Sequence, residues 1–288
     1  MVRRLLSILI TAIIAVCGLG IWLTRPQKVD PSVFTSVVGD TQRGELVFYA
    51  SGCLSCHKSS DKSDNTLSGG MAFASPFGTF YAPNISMDET QGIGSWTLEE
   101  FANAVTKGVS PDGKHYYPAF PYTSYNKMAP EDLVDLWAYF QTLQATPIIS
   151  KPHDVGFPFN IRRGLGLWKL MFNDSDWVES STSSERGRYL VEALGHCAEC
   201  HTPRNMIGGL DKSQWLAGAP DPSGKGRVPA ITPEKLQWSS DDIAYYLESG
   251  FTPDFDSVGG HMTSVVDNMA KLPAEYRQAI AEYLTGLD

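Results

Sequence analysis

Residues 53–57 read CLSCH and residues 197–201 read CAECH. In both stretches two cysteines stand three positions apart, and a histidine follows the second. On a helical turn, side chains three positions apart face the same way, so both thiols can add to the vinyl groups of one haem while the histidine faces its iron. We therefore predict two covalently bound haems c, held by Cys53, Cys56 and His57 and by Cys197, Cys200 and His201.

Two other chemistries also use paired cysteines. Pairs that bind structural zinc usually lie about 15 to 20 residues apart, whereas these lie 144 positions apart. A redox-active cysteine pair needs no histidine after it, and an even number of exported cysteines would otherwise suggest structural disulfides. Zinc and disulfides stay open as alternatives, but a histidine after both pairs favours haem.

The similarity between the two halves extends beyond the motifs. RGELVFYASG precedes the first and RGRYLVEALGH the second, and each is typical of an amphipathic helix. Downstream, WTLEEFANAVTKG at 96–108 matches WSSDDIAYYLESG at 238–250, and a third helix follows from Ala129 and from Pro273. The middle helices have capping boxes and end glycines, namely Thr97 with Glu100 and Gly108, and Ser239 with Asp242 and Gly250.

This repeat predicts an all-α protein of two tandem cytochrome c domains behind an N-terminal transmembrane helix. Each domain is read as helix, haem loop, helix, ligand loop and helix, with no sustained strand. The chain of 288 residues suits two cores of roughly 100 to 150 residues. We assign 1–25 to a membrane anchor, 26–143 and 184–288 to the domains, and 144–183 to a linker whose many aromatic residues predict that it packs across both.

The first 25 residues favour membrane attachment. The uncharged stretch from Leu5 to Leu23 approaches the roughly 20 residues that span a bilayer and exceeds the apolar core of about 7 to 15 residues in a signal peptide. Arg3 and Arg4 before it favour a cytoplasmic N-terminus. We expect an inner-membrane protein with its haem domains in the periplasm. A cleaved signal peptide is the alternative and leads to the same compartment.

Net charge argues against one class of partner. The chain has 23 basic and 32 acidic residues, and only Arg3, Arg4 and Arg25 are charged among the first 25, so the remainder has a formal charge of −12. Nucleic acid is therefore a poor candidate partner, whereas a basic docking surface on a redox protein would be attracted.

Electron-transfer haems usually take methionine as the second axial ligand of the iron. In the second half, Met262 in VGGHMTSVV lies 61 positions after His201, on a loop before the last helix. Its rivals are Met269, which we interpret as a core residue, and His261, which could bind iron only if the loop rotated. Met262 is the predicted ligand.

The first half lacks a methionine at the matching position, because the offset of 142 carries Met262 onto Phe120. The remaining candidates are Met71, Met87, His115 and Met128. The first two precede the middle helix, and His115 comes five residues early. Met128 lies directly before the third helix, where a longer loop would bring its thioether to the iron. Met128 is our predicted ligand, with His115 or an open iron position as alternatives.

Several segments together resemble a known family: CLSCH, GTFYAPNIS, GIGSWTLEEF, GVSPDGKHYYPAFPYTSY, HCAECHTPRN and VGGHMTSVV. From about Thr41 to Leu287 the chain resembles the c-type cytochrome subunits of membrane-associated bacterial dehydrogenases for alcohols, aldehydes, gluconate and related substrates. By resemblance, Pro83–Ile85 and Trp96 line the haem and its propionates, although core packing explains them equally well, and His115 stands beside a methionine ligand.

Two departures stand out: subunits of this family commonly have three haem motifs, and a methionine where this chain has Phe120. A dihaem subset with PAFPYTSY followed by methionine is most similar, which favours Met128.

The resemblance implies an electron carrier that is not itself catalytic, or a subunit of a dehydrogenase complex. We expect it to pass single electrons from a dehydrogenase towards a cytochrome, an oxidase or a quinone-linked acceptor of the respiratory chain. An alternative, motivated by Phe120, is a dihaem oxidoreductase acting on thiosulfate or peroxide at the first haem. A permanent subunit of an oxidase or another respiratory complex is a third.

Overall fold

The computed structural model describes residues 2–59, 66–178, 184–222, 224 and 226–287. Within these residues the chain is mostly helical, in agreement with the expectation from the repeat. The α-helices, in chain order, are α1 (Val2–Leu23), α2 (Thr41–Ala50), α3 (Cys53–His57), α4 (Leu98–Lys107), α5 (Tyr122–Tyr125), α6 (Pro130–Phe140), α7 (Leu165–Phe172), α8 (Glu185–Arg188), α9 (Ala198–His201), α10 (Pro233–Leu236), α11 (Ser240–Ser249), α12 (Met262–Met269) and α13 (Ala274–Thr285). Short 3₁₀ turns lie at Pro31–Phe34, Arg162–Gly164 and Lys212–Gln214, and a π-helix at Tyr189–Leu194.

Short strands depart from the purely helical prediction. The strands are β1 (Ala72–Ser75), β2 (Gly78–Tyr81), β3 (Asp154–Val155), β4 (Ala219–Pro220) and β5 (Arg227–Val228). β1 and β2 form an antiparallel hairpin, and β3 of the linker adds to β2 with Thr79 opposite Asp154. β4 and β5 pair separately. The pairing that completes the first sheet joins segments more than 70 positions apart, so periodicity in a local window could not reveal it.

The first and last helices of each half cross at a glycine. A side chain on Gly44 of α2 would clash with the carbonyl oxygen of Asp135 in α6, and one on Gly187 of α8 would clash with that of Ala279 in α13. The absence of a Cβ therefore permits both crossings. In the first half, the buried carboxylate of Asp135 also accepts from Arg43 Nε at 2.7 Å, which ties the two helices together.

A π-helix distinguishes the second crossing from the first. Nine positions separate Gly44 from Cys53, whereas ten separate Gly187 from Cys197. α2 is regular, but α8 continues into the π-helix Tyr189–Leu194. A π-turn accommodates one extra residue within a helix. It therefore absorbs the additional residue and brings the second motif to the same point relative to its helix crossing.

The middle helices begin and end as their capping signals predict. Thr97 and Glu100 form a capping box at the start of α4, and Ser239 and Asp242 form one at the start of α11. Both helices end at glycines with left-handed backbone, Gly108 and Gly250. The third helices are also confirmed, as α6 and α13.

The linker contacts both halves. Asn84 in the first half donates from Nδ2 to the carbonyls of Thr146 and Ile148, both at 2.8 Å. Trp168 in α7 donates from Nε1 to the carbonyl of Ile207, beyond the second motif, at 2.9 Å. The linker end that we expect at 183 falls within 179–183, which lie outside the described residues.

Lys169 of α7 caps a helix of the first half. Its ammonium donates to the carbonyls of Lys107 and Gly108 at 2.6 and 2.7 Å and lies 4.5 Å from the centre of the Tyr122 ring. These carbonyls belong to the last turn of α4, where a side-chain donor is favourable because helical carbonyls there have no helical partners. The linker thus stabilises the end of the helix that leads into the first ligand loop.

The N-terminal helix is long and apolar. α1 has 22 residues and a mean hydropathy of 2.5 over its most apolar window, and none of that window is buried. Its end is held by the rest of the protein: Thr24 accepts from Arg163 Nε at its hydroxyl and from His115 Nε2 at its carbonyl, both at 2.9 Å. The helix therefore leaves the protein from a fixed point beside the linker.

Candidate haem-binding sites

The first motif forms a short helix whose histidine is fixed by a hydrogen bond. Gly52 has a left-handed backbone with φ of 63°, which turns the chain from α2 into α3. His57 then donates from Nδ1 to the carbonyl of Pro83 at 2.8 Å. The loop that presents Pro83 is itself held, because Gly69 N–H donates to His57 O and Ile85 N–H donates to the carbonyl of Leu67.

The second motif repeats this arrangement bond for bond. His201 donates from Nδ1 to the carbonyl of Pro229 at 2.8 Å. Gly218 N–H donates to His201 O, and Ile231 N–H donates to the carbonyl of Leu216. Each motif histidine is therefore oriented by the carbonyl of a proline that stands two residues before an isoleucine.

The geometry of both histidines fits a metal-bound imidazole. Donation from Nδ1 fixes the tautomer and leaves the lone pair of Nε2 available for an iron. Burial lowers the pKa of His57 and of His201, which favours the neutral ring that binds a metal. The proline carbonyl opposes this effect only partly.

The motif cysteines are equally suited to thioether bonds. All four are free thiols, and burial raises the pKa of Cys53 and of Cys197 to about 12. They are therefore not paired as disulfides in this structure. Within the described ranges, no cluster of three or more Cys, His, Asp and Glu side chains could hold an ion, as a structural zinc site would require. Each motif thus offers two thiols for the vinyl groups of a haem and one imidazole for its iron, as haem c requires.

Each motif contacts the ligand loop of the other half across the interface between the halves. Ser55, between the first two cysteines, accepts from Asn268 Nδ2 at 2.8 Å and donates to the carbonyl of Ser264 at 3.2 Å. Glu199, at the equivalent place in the second motif, accepts from Thr123 Oγ1 at 3.1 Å. The middle of each motif therefore touches the ligand loop of the other half, in an approximately two-fold arrangement.

An aromatic pair closes this interface. His196 stands directly before Cys197 and has a positive φ of 41°, as Gly52 has before Cys53. Its ring stacks on Tyr125 of the first half, with ring centres 5.4 Å apart. Tyr125 also donates from its hydroxyl to the carbonyl of Ser51 at 2.5 Å. The ring contact across the halves compensates for a backbone conformation that usually favours glycine.

The predicted ligand of the second iron begins a helix. Met262 is the first residue of α12 and is half-buried against the core. Met269, at the other end of α12, is 4% exposed and lies in the core cluster, in agreement with our interpretation of it as a core residue. His261 is exposed and its ring lies 6.5 Å from that of Phe73.

The predicted ligand of the first iron is buried near the first motif. Met128 is 7% exposed, and its N–H donates to the carbonyl of Tyr125 at 2.9 Å. Cys53 and Cys56 are close enough to Tyr125 that, after burial, their charges contribute to raising its pKa. Met128 also lines an open cleft of about 240 Å³, which residues of the N-terminal segment line and no residue of the first motif does. Phe120 packs its ring against Tyr125, with centres 5.9 Å apart, as an apolar wall.

The other candidates for the first iron serve different contacts. His115 is 3% exposed and uses Nε2 for the carbonyl of Thr24, at the end of α1. Met71 is half-buried, and its carbonyl accepts from Ala82 beside the hairpin. Met87 and Trp96 pack against the core cluster.

Sequence reasoning missed the residue that orients the second histidine. We singled out Pro83–Ile85 but not Pro229, although VPAIT repeats the spacing of APNIS. The proline and the isoleucine two positions later were the available signal. Nothing in the sequence pattern could have predicted the contacts of Ser55 and Glu199, because they depend on how the halves pack.

Comparison with known proteins agrees with this geometry. The cytochrome c family model matches residues 41–144. A protein of Cereibacter sphaeroides described as diheme cytochrome c-type is 51% identical over 98% of this chain and 97% of its own length. The fructose dehydrogenase cytochrome subunit of Gluconobacter japonicus is 34% identical over 98% of this chain, and the gluconate 2-dehydrogenase cytochrome c subunit of Pantoea cypripedii is 34% identical over 85%.

The chain spans 59% of the length of each of these two dehydrogenase subunits. These matches confirm the resemblance that the motifs suggested. The chain belongs to the family of c-type cytochromes that includes the cytochrome subunits of fructose, alcohol and gluconate dehydrogenases, and its covalently bound cofactor is haem c.

Proposed function

We propose that this protein is a membrane-anchored dihaem cytochrome c with two tandem cytochrome c domains. It takes single electrons from a dehydrogenase in the periplasm and passes them towards the respiratory chain. The names of its relatives, which are cytochrome subunits of dehydrogenases, support the nature of the donor. The observation that carries the proposal is the repeated pair of proline-oriented histidines in two motifs that each contact the ligand loop of the other half.

Haem c supplies a one-electron iron couple when bound. Cys53 and Cys56 hold the first haem and Cys197 and Cys200 the second, which leaves no freedom for either to dissociate. His57 and His201 bind iron through Nε2. Pro83 and Pro229 accept from the opposite nitrogen, and this hydrogen bond increases the basicity of each imidazole.

A methionine sulfur would supply a further ligand to each iron. Met262 at the start of α12 serves the second site. Met128 serves the first, because it is buried beside Tyr125 and the first motif, whereas His115 is engaged with the end of α1. A neutral thioether favours the reduced iron, so it raises the potential of each haem into the range useful for respiration.

The contacts between the two halves support electron transfer between the two sites. Ser55 and Glu199 hold each motif against the ligand loop of the other half, and the rings of His196 and Tyr125 stack beside them. A fixed interface of this kind keeps the two sites at one separation, as a relay requires. The encounter with the donor, by contrast, is expected to be small and transient.

α1 anchors the protein in the inner membrane. Its uncharged part, from Leu5 to Leu23, rises about 28 Å as a helix, which matches a hydrocarbon core of about 30 Å. Arg3 and Arg4 keep its start in the cytoplasm, so that the haem domains lie in the periplasm. The acidic remainder of the chain would attract a basic docking surface on its partner.

The test compares the full chain with two variants that each lack one attachment motif. Cys53→Ala with Cys56→Ala and, separately, Cys197→Ala with Cys200→Ala should each lower the haem content from two per chain to one, as measured by the pyridine haemochrome spectrum. Both variants should also lose electron flow from a reduced dehydrogenase to an acceptor, because the two haems act in series.

Two outcomes would contradict the proposal. If one motif variant kept two haems, or if both kept full electron flow, a two-haem relay would be wrong. If the ferrous wild-type protein bound carbon monoxide at the first haem, its sixth position would be open. The oxidoreductase acting on thiosulfate or peroxide would then replace the relay as the better proposal.

A further inference from the structure

Helix α7 of the linker has its apolar face turned outward. Leu167, Leu170 and Met171 are 51%, 61% and 57% exposed. At spacings of three and four they form one stripe of the helix. The opposite side is buried and includes Trp168 and the charged side chain of Lys169, which caps α4. This is the reverse of the usual arrangement, in which the apolar face covers the core.

The exposed stripe belongs to a larger apolar surface, which we name the linker patch: Phe157, Phe159, Ile161, Leu167, Leu170 and Met171. Phe157 is 80% exposed. Phe159 stacks edge-on against Phe77 with ring centres 5.0 Å apart, and Trp168 is hydrogen-bonded to the carbonyl of Ile207, so the surface rests on rigid structure. A concentration of exposed large apolar side chains in one segment of a folded protein indicates an interaction site.

The linker patch adjoins the point where α1 leaves the protein. A Cβ on Gly166, at the start of α7, would lie 2.5 Å from the carbonyl oxygen of Thr24. Arg163 donates to the Thr24 hydroxyl and to the carbonyl of Ile21. If α1 spans the bilayer, Thr24 lies at the membrane surface, and Leu170 is one helical turn from the residue that touches it. The patch therefore cannot be far from the lipid.

Charge around the patch fits a phospholipid surface. Apart from Lys169, which faces α4, residues 144–172 contain three basic residues and one acidic residue, in a chain whose formal charge is −9. Arg162 and Arg163 lie between the aromatic part of the patch and α7. Basic residues beside exposed apolar side chains are characteristic of segments that lie in the interface of an anionic membrane.

We propose that the linker patch inserts into the periplasmic surface of the bilayer that α1 spans. The inference rests on the proposed membrane anchoring of α1. The linker patch contacts the boundary between the acyl chains and the headgroups of the lipid. This contact fixes the haem-bearing part of the protein against the membrane in one orientation. Without such a contact, exposed leucine, methionine and phenylalanine side chains would face water beside the membrane.

The test places an environment-sensitive nitrobenzoxadiazole fluorophore at single cysteines of the full-length haem-loaded protein. Cys17→Ser removes the free thiol, since the motif cysteines are bonded to haem. Labels then go on Ile13→Cys in α1, Leu170→Cys in the patch and Phe255→Cys as control, which is 91% exposed in the second half. The protein is reconstituted in vesicles of phosphatidylcholine and phosphatidylglycerol, with or without doxyl-labelled lipid.

We expect doxyl lipid to quench the labels at 13 and 170 by about twofold or more and to leave the label at 255 nearly unchanged. Leu167→Glu should reduce quenching at 170. Because Leu167 is exposed, that change should leave the haem content unaltered.

Three results would overturn the inference. Quenching at 13 but not at 170 leaves membrane anchoring intact and removes the patch from the lipid. Absence of quenching at both positions refutes the anchoring as well. If iodide reaches the label at 170 in lipid vesicles but not in native membranes, the patch binds a protein partner instead.

Discussion

The two motif regions are alike at the proximal histidine and differ at the ligand loop. His57 and His201 have the same bond to a proline carbonyl at the same distance of 2.8 Å. Beyond the middle helix, the first loop contains only the four-residue α5, whereas the second contains the eight-residue α12 with Met262 at its start. The two halves therefore share the contacts that position the motif histidine. They differ in the ligand loop, where each half contacts the rest of the protein.

Those surroundings explain the difference. The first ligand loop is held by other segments: His115 by Thr24, Gly108 by Lys169, and Tyr117 by the guanidinium of Arg162, 4.8 Å from its ring centre. The corresponding segment of the second half, residues 251–261, is mostly exposed, with Phe255 91% exposed. A loop supported from outside needs less secondary structure of its own, which is consistent with its short helix.

The largest contrast is expected from removing one residue before each motif. Deletion of Ala193 should convert the π-helix into a regular helix like α2 and keep the second motif in place, so that both haems are retained. Deletion of Ala50, which is 1% exposed in regular α2, should displace the first motif by one residue and abolish attachment of the first haem. Haem content per chain measures both. Equal losses would mean that the π-helix is not an inserted residue.

The two helix crossings, at Gly44 and at Gly187, should be destabilised to nearly the same extent when the glycine gains a side chain. Gly44→Ala and Gly187→Ala each introduce a Cβ that clashes with a backbone carbonyl, and we expect each to lower the free energy of unfolding by roughly 3 kcal/mol. Chemical denaturation would measure it. Gly164→Ala is the matched control, because nothing lies within 4 Å of its Cβ. A loss at only one crossing would show that the two halves do not pack alike.

Met128 and Met262 lie in different surroundings, but we expect both sulfurs to bind iron in the same way. Met128→Leu and Met262→Leu conserve volume, so each should change stability by less than about 1.5 kcal/mol apart from the lost iron bond. Each should remove half of the methionine-to-iron charge-transfer absorbance in the near-infrared spectrum of the oxidised protein. If Met128→Leu left that band intact, the first iron would have another ligand, and the two sites would differ in kind.

The smallest effect concerns the lysine that supports only the first loop. Burial lowers the pKa of Lys169 from 10.5 to about 7. Between these two pKa values the unfolded chain binds a proton at Lys169 that the folded chain lacks. The free energy of unfolding therefore rises with pH across this range, and the lysine contributes least to stability at pH values below the folded pKa. Relative to Lys169→Met, the wild type should gain unfolding free energy from about pH 7 to about pH 9. A flat difference between the two proteins would contradict this.

Much of the helical plan could be predicted because its signals are local. The capping boxes at Thr97 and Ser239 and the glycines at 108 and 250 are short patterns that fix where a helix begins and ends, and each was found where expected. The attachment motifs are local in the same sense. Their repetition at matching distances indicated a duplicated unit.

What could not be predicted depends on contacts between distant segments. β3 pairs with β2 only because the linker returns to the first hairpin. His196 takes a positive φ although it is not glycine, and the ring of Tyr125 on which it stacks lies 71 positions earlier in the chain. No periodic pattern in the sequence shows which linker segment pairs with a short strand, or which ring packs against a strained residue.

The strand supplied by the linker determines where the chain can be cut. A half-molecule ending at 143 would contain the complete first repeat, yet it would lose β3, the carbonyls that accept from Asn84, and the ammonium of Lys169 that caps α4. The shortest first half able to fold alone should therefore end after 172. The repeated unit therefore differs from the unit that can fold on its own. Limited proteolysis, or expression of fragments that end at different residues, would identify the folding unit, whereas comparing the two repeats identifies only the repeated one.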